Sequence, residues 1–201
     1  MAADPNGKNH DRHGIVTPSA ESLASAARAA KGRGPAPVHL WDPPFCGDID
    51  MRIARDGTWF HEGTPIGRPG LVRLFASILK REGDAYFLVT PVEKVGIVVE
   101  DAPFVAVDFE SVSEGLRFET NVGDTVVAGP DHPIRVVRDA NSGEPAPYVM
   151  VRAGLEALID RKSFYRLVEI CEHDEIDGER WFGLRSGAAF FGVVPSAELP
   201  G

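Results

Sequence analysis

Asp50, Arg52, Arg68, Arg73, Glu93, Lys94, Glu100, Asp101, Arg117, Asn121 and Arg152 all stand close to the ends of elements that the residue pattern predicts. Arginines set among carboxylates suit one chemistry well. A guanidinium is a planar fork of donors that meets a phosphate or carboxylate through two parallel hydrogen bonds. Such a set reads as a focused anion site. The competing use is ordinary: an exposed arginine–carboxylate pair stabilises little and does no chemistry. Glu93-Lys94 has the residue types of an acid–base pair, yet neighbours on a strand point to opposite faces. Glu100-Asp101, at a strand end, would serve as a general base or hold a hard cation only with convergent partners that the spacing does not supply.

Other chemistries lack their patterns. His39, His61, His132 and His173 are scattered, with no H-x-x-H or H-E-x-x-H spacing, so the folded region carries no zinc signature. His10 and His13 fall in a polar, Gly/Asn-rich opening stretch that reads as a mobile tail. Gly63-Thr64-Pro65-Ile66-Gly67 lacks the Gly-Lys-Ser/Thr ending of a phosphate-binding loop, and Ser111 and Ser113 lack a G-x-S-x-G setting. Trp41, Trp59 and Trp181 read as core or interface anchors rather than base-stacking platforms, because the charge around them is acidic. The sequence names no cofactor.

The 201 residues carry a formal net charge of −9, which argues against nucleic acid or an anionic membrane as the main partner. A hydrophobic share of 43% is enough for a packed core. Cys46 and Cys171 lie far apart, outside any C-x-x-C, and read as free thiols in a reducing compartment. There is no secretory h-region and no apolar run near the ~20 residues a bilayer span needs. The cytoplasm is the default expectation.

Several elements would position these side chains. Thr17-Pro18 reads as a cap and first turn of an Ala-rich helix over Ser19 to Lys31, with Leu23 its one large apolar residue. Such a helix buries little and is expected to be peripheral, or an arm onto a protein partner. Gly34 to Pro37 is a linker. Asp50 to Arg55 and Thr58 to Phe60 form a hairpin about a two-residue Asp56-Gly57 turn. Leu71, Leu74, Phe75, Ile78 and Leu79 make one apolar stripe on a helix from near Pro69 that closes at Glu82-Gly83-Asp84. Strands are predicted at 85–90, 95–100, 104–109, 116–120, 124–127, 134–137 and 148–151, with V-G-I-V-V a central one. A long loop covers Asp139 to Pro147. A second helix is expected from near Ala153, with Leu155, Leu158 and Ile159 on one face. An acidic loop over His173 to Glu179 and two closing strands follow.

Part of this layout recurs. M-R-I-A-R-D-G-T-W-F and L-R-F-E-T-N-V-G-D-T-V-V both read strand, turn, strand, with Arg52 and Arg117 in register. Arg68-x-Gly70-Leu71-x-x-Leu74 matches Arg152-x-Gly154-Leu155-x-x-Leu158. The recurrence predicts an α+β fold of two related halves, with antiparallel sheets and one main helix each. Residues 1–36 would be a tail and peripheral helix, 37–92 the first half and 93–201 the second. The match could also mean only that R-x-G-L starts helices after strands.

The motifs I-D-M-R-I-x-x-D-G-T-W-F, P-I-x-R-x-x-L-V-R-L-F, Y-F-L-V-T-P-V-E-K-V, V-E-D-A-P-F and P-Y-V-x-V-R-x-G-L-E-A-L resemble a bacterial family of uncharacterised proteins, domain-of-unknown-function family 1285, across about Pro37 to Leu199. The resemblance implies a duplicated α+β core whose C-terminal half superficially resembles pleckstrin-homology folds. It also implies a nucleotide-like ligand between the halves and a place in signal transduction.

Three functions are consistent with this reading. The first is a ligand-binding or regulatory protein, with a phosphorylated or nucleotide-like molecule held between the halves by Arg52, Arg68, Arg117 and Arg152 and oriented by Asp50, Glu93, Lys94 and Asn121. The second is a small hydrolase on a phosphorylated metabolite, using Glu93, Glu100 or Asp101 as base. The third is a protein-interaction module docking through the N-terminal helix or the pleckstrin-like half.

Overall fold

Residues 19–30, 36–138 and 143–199 are described by a computed structural model. The expected Thr17-Pro18 cap, the two histidines of the tail, the first half of the linker and the first four residues of the long loop lie outside these residues.

The chain opens with helix α1 (Ala20–Ala30) and a single 3-10 turn (Val38–Leu40). Strands β1 (Phe45–Ile53), β2 (Trp59–His61) and β3 (Thr64–Pro65) follow, then α2 (Pro69–Ser77) and β4 (Leu79–Glu82), β5 (Ala85–Val89) and β6 (Lys94–Val99). These six strands form one sheet in the order β3-β2-β1-β6-β5-β4. Next come β7 (Phe104–Val112), β8 (Gly115–Thr120), β9 (Thr125–Val127), β10 (Ile134–Arg138), β11 (Pro145–Arg152) and β12 (Leu155–Ile159). They form a second sheet, ordered β10-β11-β12-β7-β8-β9. Helix α3 (Arg161–Glu169) leads to a three-stranded antiparallel sheet of β13 (Glu172–Ile176), β14 (Glu179–Ser186) and β15 (Ala189–Pro195).

The fold is therefore α+β, and the duplication is visible in strand order. Each large sheet is two three-stranded meanders joined through its first and last strands. β1 runs parallel to β6, and β7 runs parallel to β12; the other pairs within these sheets are antiparallel. The expected sheets were antiparallel throughout, so these central parallel pairs are a correction. The expected break after residue 92 falls inside the first sheet, because β6 is one of its two central strands. The repeat also lies one strand away from the motif match: that match set β1–β2 against β8–β9, whereas the topology sets β1 against β7.

Local chemistry explains the elements and the departures. Pro69 takes the first position of α2, where its missing N–H costs nothing. The stripe expected to run on to Leu79 stops at Ile78, which caps the helix, and Leu79 opens β4. The Asp56-Gly57 turn is a three-residue loop, Arg55-Asp56-Gly57: the Gly57 N–H donates to the Ala54 carbonyl at 2.9 Å and the Thr58 N–H to Asp56 Oδ1 at 2.9 Å. Gly57 sits at φ +82°, which glycine reaches without steric cost.

The helix expected from Ala153 is a strand. Ala153 and Gly154, at φ 44° and 77°, turn β11 tightly into β12. Leu155, Ala157 and Ile159 are then buried in strict alternation with Glu156 and Leu158. Asp160 ends the strand and starts α3 by accepting the Ser163 N–H at 2.7 Å. The expected acidic loop is edge strand β13, where Glu172 and Asp174 both pair with Arg185 of β14. A charged edge of this kind discourages pairing with other chains.

The core is one connected cluster that takes in Phe75 of α2 and residues of both large sheets, among them Met51, Ile53, Trp59, Phe104, Phe118, Val149 and Leu155. Trp59 stacks on Phe75 at 6.2 Å between ring centroids. Helix α1 is not peripheral: Leu23, Ala24 and Ala27 are buried, and the helix packs on α2. Small residues let the two helices approach, so one leucine suffices. Ser186, 3% exposed, ties the third sheet to the second by accepting the Leu116 N–H at 2.8 Å and donating to the Ala128 carbonyl at 2.7 Å.

Candidate functional site: a cleft between α1, α2 and the β2–β3 hairpin

Most of the arginines singled out in the sequence hold the fold. Arg52 pairs with Glu100 and lies over the Phe60 ring at 4.3 Å. The second oxygen of Glu100 accepts the Arg55 N–H at 3.0 Å. Asp101 accepts the Tyr148 hydroxyl at 2.8 Å and faces Arg55 Nε at 3.2 Å. The Glu100-Asp101 pair is thus spent on neighbours. Arg117 pairs with Glu110 on the adjacent strand, its Nε donating at 2.9 Å. Lys94 donates to Glu82 at 3.0 Å and lies over Phe87, while Glu93 beside it is half-buried and burial pushes its carboxyl above the usual range. Asn121 is a brace: its Oδ1 accepts the Val105 N–H at 3.0 Å and its Nδ2 donates to the Gly57 carbonyl at 3.3 Å. Asp50 is exposed; its backbone carbonyl takes the Glu62 N–H at 3.0 Å.

Arg152 pairs with Asp124, lies over Phe104 at 4.8 Å, and donates to the Ala76 carbonyl at 2.9 Å. Ala76 is in the last turn of α2, whereas Arg68 is its N-cap. Eight residues of helix separate them, about 12 Å along the axis. The structure does not bring the two R-x-G-L arginines together. The matching letters do opposite things, since Pro69-Gly70 opens a helix and Ala153-Gly154 closes a hairpin.

Arg28, Arg68, Arg73 and Arg180 alone, among the arginines of the described residues, have neither a polar partner nor an aromatic ring against the guanidinium. Arg73 is exposed, and its side chain passes Gly123 on the other half. Arg28 and Arg68 line one cleft of about 590 Å³. Its walls are α1, the N-terminal end of α2 and the β2–β3 hairpin. Ala24, Pro65, Ile66, Leu71 and Phe75 make it apolar; His61, Thr64 and Glu21 stand among them. Arg68 caps α2 with backbone rather than side chain, its carbonyl accepting the Leu71 N–H at 2.9 Å. The guanidinium is therefore free for the cleft. An apolar hollow with a few charged groups and a volume of several hundred Å³ is the usual form of a small-molecule site.

Sequence reasoning found Arg68 and missed Arg28 and His61. Arg28 lies in the last turn of the Ala-rich helix, and the signal available was its place on the face beside Ala24 and Ala27. Among the described residues, no group of three or more His, Cys, Asp or Glu could hold a metal ion. Cys46 is exposed; Cys171 is half-buried, and burial pushes its thiol up to about 11. No helix among the described residues is long and apolar enough to cross a membrane.

The chain has clear relatives. Residues 36–102 match the profile described as the N-terminal domain of the domain of unknown function DUF1285, and residues 103–193 match the C-terminal domain of that protein of unknown function. The junction falls between β6 and β7, where the first sheet ends and the second begins. A crystal structure of a DUF1285 family protein from Silicibacter pomeroyi DSS-3 is 64% identical, covering 88% of this chain and 96% of that one at a TM-score of 0.79. Another, from Shewanella baltica OS155, is 32% identical over 60% of this chain and 91% of that one, with a TM-score of 0.50. None of the proteins with curated records matches. With both domain profiles matched in order and a 64% identical relative aligned over most of its length, this chain belongs to the DUF1285 family.

Proposed function

We propose that this protein is a regulatory binding protein for a small anion, such as a phosphorylated molecule, and that it holds the ligand in the α1–α2 cleft. The observation that carries this is the pair Arg28 and Arg68. In a chain of net charge −9, most described arginines are paired or stacked, yet two free ones line the same apolar hollow. Guanidinium groups left unpaired beside low-dielectric walls attract anions more strongly than the same groups in open water. The crevice between the halves is a weaker candidate, because Arg52, Arg117 and Arg152 already have carboxylate partners. Two of the three candidate bases of a carboxylate-based hydrolase, Glu100 and Asp101, are engaged in the same way, and the third, Glu93, does not line the cleft.

Thermal-shift measurements with AMP, other nucleotides and phosphorylated sugars test this on the wild type, on Arg28→Ala/Arg68→Ala, and on Arg117→Ala as a control. A ligand at 100 times its Kd adds about 2.7 kcal/mol, which is a shift of roughly 5–10 °C for a chain of this size. The wild type and the control should shift and the double variant should not. Equal shifts in all three proteins would remove the cleft from the account.

A further inference from the structure

We infer that the cleft selects an amphiphilic anion: one phosphate or carboxylate head held at Arg28 and Arg68, carried on an apolar body that lies against Pro65, Ile66 and Leu71. This rests on the binding reading above and names the class of ligand.

Charge sets the head. The arginine and carboxylate side chains lining the cleft are Arg28, Arg68 and Glu21, two positive and one negative. One compact anion balances that set. A triphosphate would bring charge that nothing there compensates, and desolvating uncompensated charge is costly. The walls set the body. Pro65, Ile66 and Leu71 present carbon to the hollow, with Ala24 and Phe75 buried behind them. Phe75, fully buried and stacked on Trp59, is a rigid support beneath that wall.

The polar groups set what is excluded. Ser19 is already bonded with Ser22, its Oγ taking the Ser22 N–H at 3.1 Å. Thr64, His61 and the Glu21 carboxylate remain for a ligand's hydrogen-bonding edge. A nucleobase and a ribose would bury more donors and acceptors than these three can meet, and each unmet one weakens binding. An aryl or alkyl body has none to satisfy and gains from every Å² of carbon it covers.

Titration calorimetry with four probes tests the inference: inorganic phosphate, AMP, 1-naphthyl phosphate and 1-naphthoate, against wild type, Arg28→Ala/Arg68→Ala and Leu71→Asn. At least one naphthyl probe should bind ten times or more tighter than AMP and phosphate. Its affinity should fall at least tenfold in each variant, and the pair of naphthyl probes shows whether phosphate or carboxylate is the preferred head. Should Leu71→Asn fail to fold, as judged by circular dichroism, Ile66→Ser takes its place. AMP or phosphate binding as tightly as the naphthyl probes, with loss in the arginine variant, overturns the amphiphile and leaves the anion-binding protein standing. Binding of none of the four overturns both.

Discussion

The guanidinium of Arg152 holds Asp124 with one nitrogen and, with another, the Ala76 carbonyl at 2.9 Å, so one side chain of β11 clasps the end of α2 in the other half. With three quarters of the side chain withdrawn from solvent (26% exposed), this clasp is worth more than a surface pair. Arg152→Ala should lower stability by about 2–3 kcal/mol, through a lost charged hydrogen bond and a lost contact with Phe104. Tm should fall by roughly 5–10 °C. Arg152→Lys should recover only part, since an ammonium lacks the fork that spans both partners. Thermal and urea denaturation of the three proteins measure this.

Asn121 and Gly57 meet across the same divide. A Cβ added at Gly57 would stand 2.5 Å from Asn121 Nδ2 and 3.0 Å from Val105 Cγ2, on a backbone of φ +82°. Gly57→Ala and Asn121→Ala should each cost about 1–3 kcal/mol, from clash and strain in one and an unpaired Val105 N–H in the other. Because they share a contact, the double variant should cost measurably less than the sum. Urea midpoints of the four proteins complete the cycle, and strict additivity would show that the contact does not couple the two.

Glu93 gives a pH signature. Burial raises its carboxyl above the usual value, so folding favours the protonated form. That contribution is in place below the unfolded pKa of ~4.3 and is lost as pH rises through the higher folded one. Glu93→Gln should therefore stabilise the protein at pH 7 and make little difference at pH 4. Melting temperatures of both proteins across that window check the sign; a benefit that persisted unchanged at pH 4 would assign it to another cause.

Tyr148 acts at the other end of the scale. Burial first, and then the Asp101 carboxylate accepting its hydroxyl, push its phenol up to about 12. The unfolded value is ~10. The protonated phenol is again the form the fold favours. Its stabilisation is complete below ~pH 10 and lost as pH climbs through about 12. Tyrosinate titration by ultraviolet absorbance should show this phenol among the last to ionise, and Tyr148→Phe should lose less stability than wild type over that interval.

Much of the layout was readable before the structure because strands of alternating burial announce themselves. Met51 and Ile53 point inward between exposed or half-exposed neighbours, and Leu116 and Phe118 do the same. β12 was not readable. Leu155, Leu158 and Ile159 fit a helical stripe, while Leu155, Ala157 and Ile159 fit a strand, and alanine is too small to decide between periods. Its sheet partners β7 and β11 decide it. The arginines show the same limit. Arg68 and Arg152 share a motif, but whether a guanidinium is free depends on which carboxylate the fold brings near it, and Asp124 lies 28 residues before Arg152. Arg28 stayed hidden because the helix carrying it looked too poor in apolar residues to dock.

The parallel pairing of first and last strands also governs how this chain can be made. Phe45 waits for Lys94, and Phe104 waits for Ala157, before either sheet can close. While the ribosome works through each interval, β1 or β7 stands with one side bare, a template for other nascent chains. A message cut short inside either interval yields a sticky fragment rather than a smaller fold. Between residues 99 and 104 the first sheet has all its strands and the second has none, so a pause once β6 has left the exit tunnel finds a sheet that can close by itself.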